Sequence, residues 1–307
     1  MKGLLLSLFL LLAFAATADD GCRLWLRFPD QPQPQTCVSL STDSPFTPAE
    51  EAILSTAIDE LRQHWQGLPL YLHLANDTTL CRDAFHIARS DDEESFIITT
   101  SSATGMLYAA YFVLRSQTMG DGCLCQTLGP SHELTEQPDM AIRSVAVGNT
   151  SLLEGRVTTF ARAMASTGIN EVVLPANGFH GIGSFADSLS AYSITVRCSD
   201  PTDDPLPLTS DSNWTGNPLR QVDLYTAGRR QWKSDIPRER IVCEWLAQTF
   251  SENPYFIISM RDAMLCDEVT NRVAKLFDTW QEMRPYIDRQ RYEEVEMYLM
   301  EQLSDEK

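Results

Sequence analysis

The chain has few basic residues for its size. It carries 24 Lys and Arg against 42 Asp and Glu over 307 residues, and its formal net charge is −18 at pH 7. An acidic body of this kind repels phosphate backbones, so nucleic acid is a poor partner. Beyond the N-terminal segment, the sequence has no apolar run of membrane-spanning length, and we expect no transmembrane segment.

Metal and cofactor signatures are also missing from the sequence. Cys123 and Cys125 lack the spacing of a zinc knuckle, and no histidine cluster accompanies them. The glycines of residues 178–183 (GFHGIG) are spaced wrongly for a dinucleotide fingerprint. We therefore expect no metal ion and no organic cofactor, and we interpret most of the cysteines as small buried residues or local disulfides.

The N-terminus has the pattern of a signal peptide. Lys2 precedes the apolar run of residues 4–14, and the small residues Ala16 and Ala18 frame a cleavage site. We predict a signal peptide over residues 1–18 and export to the periplasm or the extracellular space. Removing 18 of the 307 residues leaves 289, with a formal charge of −19 because Lys2 is lost.

The middle of the chain contains a strand–helix–strand pattern. Residues 142–147 (IRSVAV) predict a strand, and the helix that follows carries Phe160 and Met164 on one face and ends at Gly168. Residues 171–174 (EVVL) predict the next strand. On this pattern alone the unit is a crossover of any parallel α/β domain.

The flanking regions predict an α/β unit before this crossover and a helical region after it. Thr47 and Glu50 form a capping box for a helix that ends at Gly67, and Ser101 or Ser102 caps a second helix. Strand-like runs occupy residues 24–26, 70–74, 85–87 and 96–98, whereas the Gly- and Pro-rich residues 118–139 form a linker. From residue 219 onwards, apolar residues recur at helical spacing almost to the C-terminus.

Four stretches in the same order resemble the α-glucuronidases of glycoside hydrolase family 67. They are residues 20–28 (DGCRLWLRF), 105–115 (GMLYAAYFVLR), 165–170 (ASTGIN) and 213–216 (NWTG), the last followed by residues 224–232 (LYTAGRRQW). Residues 280–302 also resemble the closing helices of that family. The resemblance implies an N-terminal α/β sandwich-like domain, a (β/α)8 barrel and a C-terminal α-helical region.

The barrel that the resemblance implies does not fit into this chain. A complete barrel needs about 250 residues, whereas about 90 lie between the first barrel strand and Arg230. We therefore expect an incomplete (β/α)8-type barrel without its fourth to seventh strands. The predicted domains are an N-terminal α/β domain (19–117), a linker (118–139), a truncated barrel segment (140–232) and a helical region (233–307).

Glycoside hydrolysis generally needs two positioned carboxyl groups, an acid and either a base or a nucleophile. In the family they lie on barrel strands that this sequence lacks. Asp200, Asp203, Asp204 and Asp211 lie near the junction, but none is in a matching motif. We therefore assign no catalytic residue.

Remnants of substrate binding remain open as a prediction. The resemblance places Trp214 at the mouth of the site, where an aromatic ring can pack on a sugar. Asn213, Asn177 and Asn149 would lie near the carboxyl ends of strands, the functional end of such barrels. Alternatively, the asparagines stabilise turns and Trp214 packs on the following helix.

Three functional interpretations remain at this point. The family-level interpretation is an exported α-glucuronidase-type hydrolase that removes glucuronosyl or 4-O-methylglucuronosyl branches from xylo-oligosaccharides. The second is a non-catalytic carbohydrate-binding protein on the same scaffold. The third is a degenerate remnant that folds poorly, because an open half-barrel exposes strand edges.

Overall fold

The computed structural model describes residues 22–28, 38–43, 45–76, 79–119, 124–176, 182–199, 205–266 and 272–305. The predicted signal peptide lies outside these residues and stays a prediction. The fold is mixed α/β with a helical C-terminal region, as the sequence indicates. Within the described part of the chain, no helix combines the length and the apolar character that crossing a membrane requires.

The first sheet has five strands in the order β1-β2-β4-β3-β5. They are β1 (Val38–Thr42), β2 (Leu70–Leu74), β3 (Phe85–Arg89), β4 (Phe96–Thr100) and β5 (Glu133–Glu136). The strands β1, β2 and β4 run parallel, whereas β3 is antiparallel to both β4 and β5. Apolar residues alternate along β2, so Leu70 and Leu72 enter the core and Tyr71 faces outward.

Two helices, α1 (Pro48–His64) and α2 (Ala103–Thr118), pack against the core of this sheet. The predicted capping box is confirmed, because Thr47 Oγ1 accepts a hydrogen bond from the Glu50 amide while the Glu50 carboxylate accepts one from the Thr47 amide. Ser102 caps α2 by accepting a hydrogen bond from the Gly105 amide at 3.0 Å. Both helix starts are therefore fixed by local sequence.

The structure differs from the sequence-based expectations in three places. Residues 24–26 form a buried turn rather than a strand, and Leu24 has a φ of 58°. β1 was not anticipated, because its sequence VSLST has little apolar periodicity. The predicted linker contains α3 (Leu124–Leu128) and β5, and β5 extends the first sheet at its edge.

The second sheet contains three parallel strands in the order β6-β7-β8. These are β6 (Ser144–Ala146), β7 (Glu171–Pro175) and β8 (Thr195–Ser199), connected by α4 (Val157–Ser166) and α5 (Ile182–Ser190). The predicted strand–helix–strand unit is thus confirmed as β6-α4-β7. Gly168 follows α4 with a φ of 94°, a conformation that glycine adopts without strain.

Five helices follow in the described C-terminal part of the chain. They are α6 (Gln221–Trp232), α7 (Arg238–Thr249), α8 (Pro254–Met264), α9 (Arg272–Glu282) and α10 (Arg289–Asp305). α6 lies beside β6, where the Gln231 side chain accepts from the Ser144 amide at 2.7 Å and donates to its carbonyl at 3.0 Å. The Leu206 amide also donates to the Ala146 carbonyl at 2.8 Å. The stretch that resembles the last barrel unit therefore lies against the first strand of the sheet.

Candidate functional site

The sequence predicts sugar-binding residues near the carboxyl ends of the strands of the second sheet. Asn149 Oδ1 accepts hydrogen bonds from the amide and the hydroxyl of Ser151, at 3.0 and 2.8 Å. Asn213 Oδ1 accepts from the Thr215 amide at 3.2 Å. Both asparagines therefore stabilise local turns, and Asn177 lies outside the described residues.

Trp214 is fully buried, with a relative exposure of 0%. Its indole N–H donates to the Cys22 carbonyl at 2.8 Å, and the guanidinium of Arg156 lies 4.0 Å from its ring centroid. Phe160 of α4 packs beside the ring at 6.1 Å. The indole thus presents no solvent-facing surface in this structure, and the sugar-binding roles of Trp214 and the asparagines stay predictions.

Arg156 also fixes the segment that carries Trp214. Its guanidinium donates to the carbonyls of Asp211 and Thr209, at 2.8 and 3.1 Å. The Asp211 carboxylate accepts from the Thr209 hydroxyl at 2.8 Å. Asp211 therefore stabilises a turn, and Asp200, Asp203 and Asp204 lie outside the described residues.

A polar pocket of about 400 Å³ lies between α1 and the first turns of α4. Its α4 residues lie in the first two turns of that helix, whereas Tyr192 precedes β8. The pocket is lined by residues with hydroxyl, amide, carboxylate, guanidinium, imidazole and phenol groups: Arg23, Thr56, Asp59, Glu60, Gln63, His64, Thr158, Thr159, Arg162 and Tyr192. We refer to these residues as the polar pocket.

Glu60 is the buried anchor of the polar pocket. Its carboxylate accepts two hydrogen bonds from Arg162, one of them at 2.7 Å from Nη2, and a third from the Tyr111 hydroxyl at 3.2 Å. Arg162 Nη2 also lies 3.1 Å from His64 Nε2. Bidentate arginine–carboxylate pairs are strong and geometrically specific, so Glu60 and Arg162 are held in one arrangement.

The surrounding ionisable groups respond to this buried pair. Burial, reinforced by the Glu60 charge, raises the pKa of Tyr111 well above its usual value of 10. Burial and the Glu60 charge also raise the pKa of Tyr192. For Arg162 burial favours the neutral form, but the hydrogen bonds to Glu60 and the charge of Glu60 together outweigh it and raise the pKa. Arg162 is therefore a permanent cation, and the two phenols are neutral hydroxyl groups at physiological pH.

The rim of the polar pocket carries groups that remain available to a ligand. Arg23 is exposed, and its side chain forms no ion pair or hydrogen bond within the part of the chain that the structure describes. No side-chain oxygen caps the first turn of α4, whose amides carry the positive end of the helix dipole. Tyr192 adds a half-buried aromatic ring. Together these groups can bind hydroxyl groups and one carboxylate.

A second cleft, of about 860 Å³, lies among α2, α6 and α7. At its base the buried carboxylate of Glu244 accepts hydrogen bonds from Arg229 Nε at 2.9 Å and from the Tyr225 hydroxyl at 3.1 Å. Arg115 lies 3.8 Å away. Burial alone would raise the pKa of Glu244, but the charges of Arg229 and Arg115 lower it to about 2. This network links α2 with α6 and α7, and we interpret it as structural.

Sequence reasoning did not find the polar pocket, because its residues come from four separate parts of the chain. One local signal was present. Glu60 and His64 are spaced i,i+4 within the apolar stripe of α1, and two polar residues in a buried stripe need partners. Among the residues that the structure describes, no group of three or more His, Cys, Asp or Glu is arranged as a metal site.

Comparison with protein-family models and with curated proteins finds no match. Among solved structures, the chain is similar to a GH138 enzyme targeting pectin rhamnogalacturonan II, at 12% identity and a TM-score of 0.36, over 52% of this chain and 24% of that one. It is similar to the Flavobacterium johnsoniae chitobiase FjGH20 at 11% identity and a TM-score of 0.36, over 54% and 31%.

A third solved structure, the GH20 β-N-acetylhexosaminidase of Streptomyces coelicolor A3(2), is similar at 11% identity and a TM-score of 0.37. The similarity covers 83% of this chain and 70% of that enzyme. All three are glycoside hydrolases, and the chain spans less than a third of the length of the first two. Similarities of this size assign neither a family nor an activity.

Proposed function

We propose that this chain is an exported carbohydrate-binding protein of the α-glucuronidase type. It binds xylo-oligosaccharides that carry a glucuronosyl or 4-O-methylglucuronosyl branch and does not hydrolyse them. The observation that carries the proposal is the polar pocket, in which the side chain of Arg23 has no ion-pair partner among the described residues and lines the same opening as the ring of Tyr192.

The chemistry of this pocket suits an acidic sugar. Hydroxyl groups of a pyranose can exchange hydrogen bonds with Asp59, Gln63 and Thr159, which between them supply both donors and acceptors. The planar guanidinium of Arg23 matches the two oxygens of a uronate carboxylate. The ring of Tyr192 offers an apolar face to the sugar.

Binding without hydrolysis follows from the carboxylates that line the pocket, Asp59 and Glu60. Hydrolysis by an inverting or retaining route needs two carboxyl groups that are free to act on the substrate. Arg162 and Tyr111 engage Glu60, so its oxygens are not free to act on a substrate. One available carboxylate, Asp59, is insufficient for the reaction.

Isothermal titration calorimetry on the mature chain tests the proposal. We expect saturable binding of a 4-O-methylglucuronosyl xylotriose, weaker or absent binding of xylotriose, and no release of the uronic acid. Arg23→Gln should weaken binding of the acidic sugar at least about tenfold, which is the loss of 1.4 kcal/mol or more. The control Arg289→Gln, which changes an exposed arginine on α10, should bind like the wild type. Equal binding of both sugars would contradict the proposal.

An active α-glucuronidase is the second candidate. It is favoured because the stretch that resembles the last barrel unit lies beside β6. In a closed barrel the last unit also lies beside the first strand. This alternative requires catalysis by carboxylates outside the polar pocket, such as Asp200, Asp203, Asp204 or Asp211. If the chain releases glucuronic acid, and substituting these aspartates abolishes the release, the chain is an active α-glucuronidase and the binding proposal is overturned.

A further inference from the structure

An apolar groove of about 460 Å³ lies among α6, α7, α9 and α10, and shares no residue with the polar pocket. Its floor consists of aliphatic side chains from the described residues: Leu219, Val222, Val242, Met264, Leu265, Val273, Leu276 and Leu299. Small-molecule sites are typically concave, predominantly apolar and about 300–1,000 Å³ in volume. The groove therefore has the size and lining of a site for a small ligand.

Four arginines surround the floor of this groove: Arg220, Arg230, Arg238 and Arg272. Arg220 lies 3.6 Å from Asp223, and Arg272 donates to the Met264 carbonyl at 2.8 Å. Arg230 and Arg238 are exposed, and their side chains have no ion pair or hydrogen bond among the residues that the structure describes. Two guanidinium groups thus border an apolar surface without a carboxylate to neutralise them.

The charge of the groove is opposite to that of the whole chain. Its lining contains four arginines and a single acid, Asp223, so its formal charge is +4 − 1 = +3, whereas the chain carries −18. A cleft of one sign with low-dielectric walls concentrates ligands of the opposite sign. The arginines and the apolar floor of the groove are therefore complementary to a ligand that has a negative charge and an apolar body.

We propose that this groove binds an anionic amphiphile, a small molecule with one acidic head and a compact apolar body. The apolar body lies on the floor between α7 and α9. The head lies between Arg230 and Arg238, which supply guanidinium N–H donors for a carboxylate or sulfonate. This site is independent of the acidic-sugar proposal, so either can fail alone.

Calorimetric titration of the full chain with decanoate and with 1-decanol separates the contribution of the ligand's negative charge from that of its apolar chain. Both ligands have an unbranched ten-carbon chain, and only decanoate is charged. We expect decanoate to bind at least about tenfold more tightly at low ionic strength, with the difference shrinking as salt screens the arginines. Equal affinities would overturn the proposal, because the arginines would then contribute nothing.

Variants locate the site. The double variant Arg230→Gln/Arg238→Gln should remove the preference for decanoate, whereas Arg230→Lys/Arg238→Lys should retain most of it. Val273→Trp should abolish binding of both ligands by filling the groove, and Arg289→Gln should change neither. Circular dichroism and the melting temperature verify that each variant folds.

Several outcomes would overturn the proposal. The preference for decanoate could survive Arg230→Gln/Arg238→Gln, or binding could survive Val273→Trp in a folded variant. Sedimentation could show a dimer that excludes decanoate, which would make the groove an interface between copies. Finally, an acidic helical peptide could bind where decanoate does not, which would indicate a protein partner.

Discussion

At the residue scale, Trp214 lies in the core in this structure. Its ring lies under Arg156, its N–H is bonded to Cys22, and none of its surface is exposed. We predict that Trp214→Ala lowers the free energy of unfolding by about 3–5 kcal/mol, the usual cost of removing a buried large aromatic ring. Urea unfolding of the mature chain measures this loss.

The matched control for Trp214→Ala is Tyr255→Ala, which removes a ring that is 56% exposed. It should change the unfolding free energy by less than about 1 kcal/mol, as surface substitutions generally do. A Trp214→Ala variant of wild-type stability that fails to bind the acidic sugar would support the sugar-binding role predicted from the sequence. Such a result would contradict the packing described here.

Glu244 gives a second residue-scale prediction. Its folded pKa of about 2 lies below the ordinary 4.5, so its ionised form stabilises the fold. This contribution is complete above pH 4.5 and is lost as the pH falls towards 2. At about 1.4 kcal/mol per pH unit, the total is on the order of 3 kcal/mol. Thermal melts between pH 6 and 2 should therefore show a steep loss of stability.

In Glu244→Gln the pH dependence that Glu244 causes should disappear. The variant should be less stable at pH 7 by about 3–5 kcal/mol, because Arg115 and Arg229 lose their buried counter-charge. Exposed Glu239 on the same helix provides the control, and Glu239→Gln should melt like the wild type at every pH. An unchanged acid slope in Glu244→Gln would contradict the assigned role.

At the element scale, the contact between α6 and the end of α4 leaves no room for a side chain at Gly228. A Cβ at this position would lie 2.0 Å from Thr167 Oγ1 and 2.4 Å from Thr167 Cβ. We predict that Gly228→Ala forces the two helices apart and costs about 1–3 kcal/mol, as overpacking does. Chemical denaturation measures this cost. Thr226→Ala, on the same helix, should have a smaller effect, and a stabilised Gly228→Ala variant would contradict the prediction.

The distance along the chain over which each element is determined explains which elements the sequence could predict. The capping box of Thr47, the Gly168 stop and the apolar run of β7 act within a few residues, so pattern reasoning finds them. β1 and β5 depend on strands that are distant in sequence. Their short polar sequences carry no signal of their own, and sequence reasoning missed both.

The candidate site was harder to predict than the fold for a related reason. Arg23, Glu60, Arg162 and Tyr192 come from distant parts of the chain, and the pairing of Glu60 on α1 with Arg162 on α4 helps to bring them together. The sequence offered motifs at residues 149 and 213–214 instead. In the structure those motifs stabilise turns and the core.

At the scale of the whole molecule, Arg143 joins the two sheets. It is fully buried, it pairs with Asp83 at 2.5 Å, and its Nη1 donates to the Met140 carbonyl at 2.6 Å. Its guanidinium also lies 5.4 and 5.2 Å from the ring centroids of Tyr108 and Trp232. One side chain thus contacts the first sheet unit, the second sheet unit and α6.

Because the two units share this buried junction, we predict that the mature chain unfolds in a single cooperative transition, with equal calorimetric and van't Hoff enthalpies.

Arg143→Ala leaves Asp83 and several carbonyl groups without their donor, at a cost of about 3–5 kcal/mol. The variant should split the melt into two transitions in scanning calorimetry. Arg197→Ala, which removes a half-exposed arginine from β8, should keep one transition. Two transitions already present in the wild type would show that the units fold independently, and a single unshifted transition in Arg143→Ala would show that this residue does not couple them.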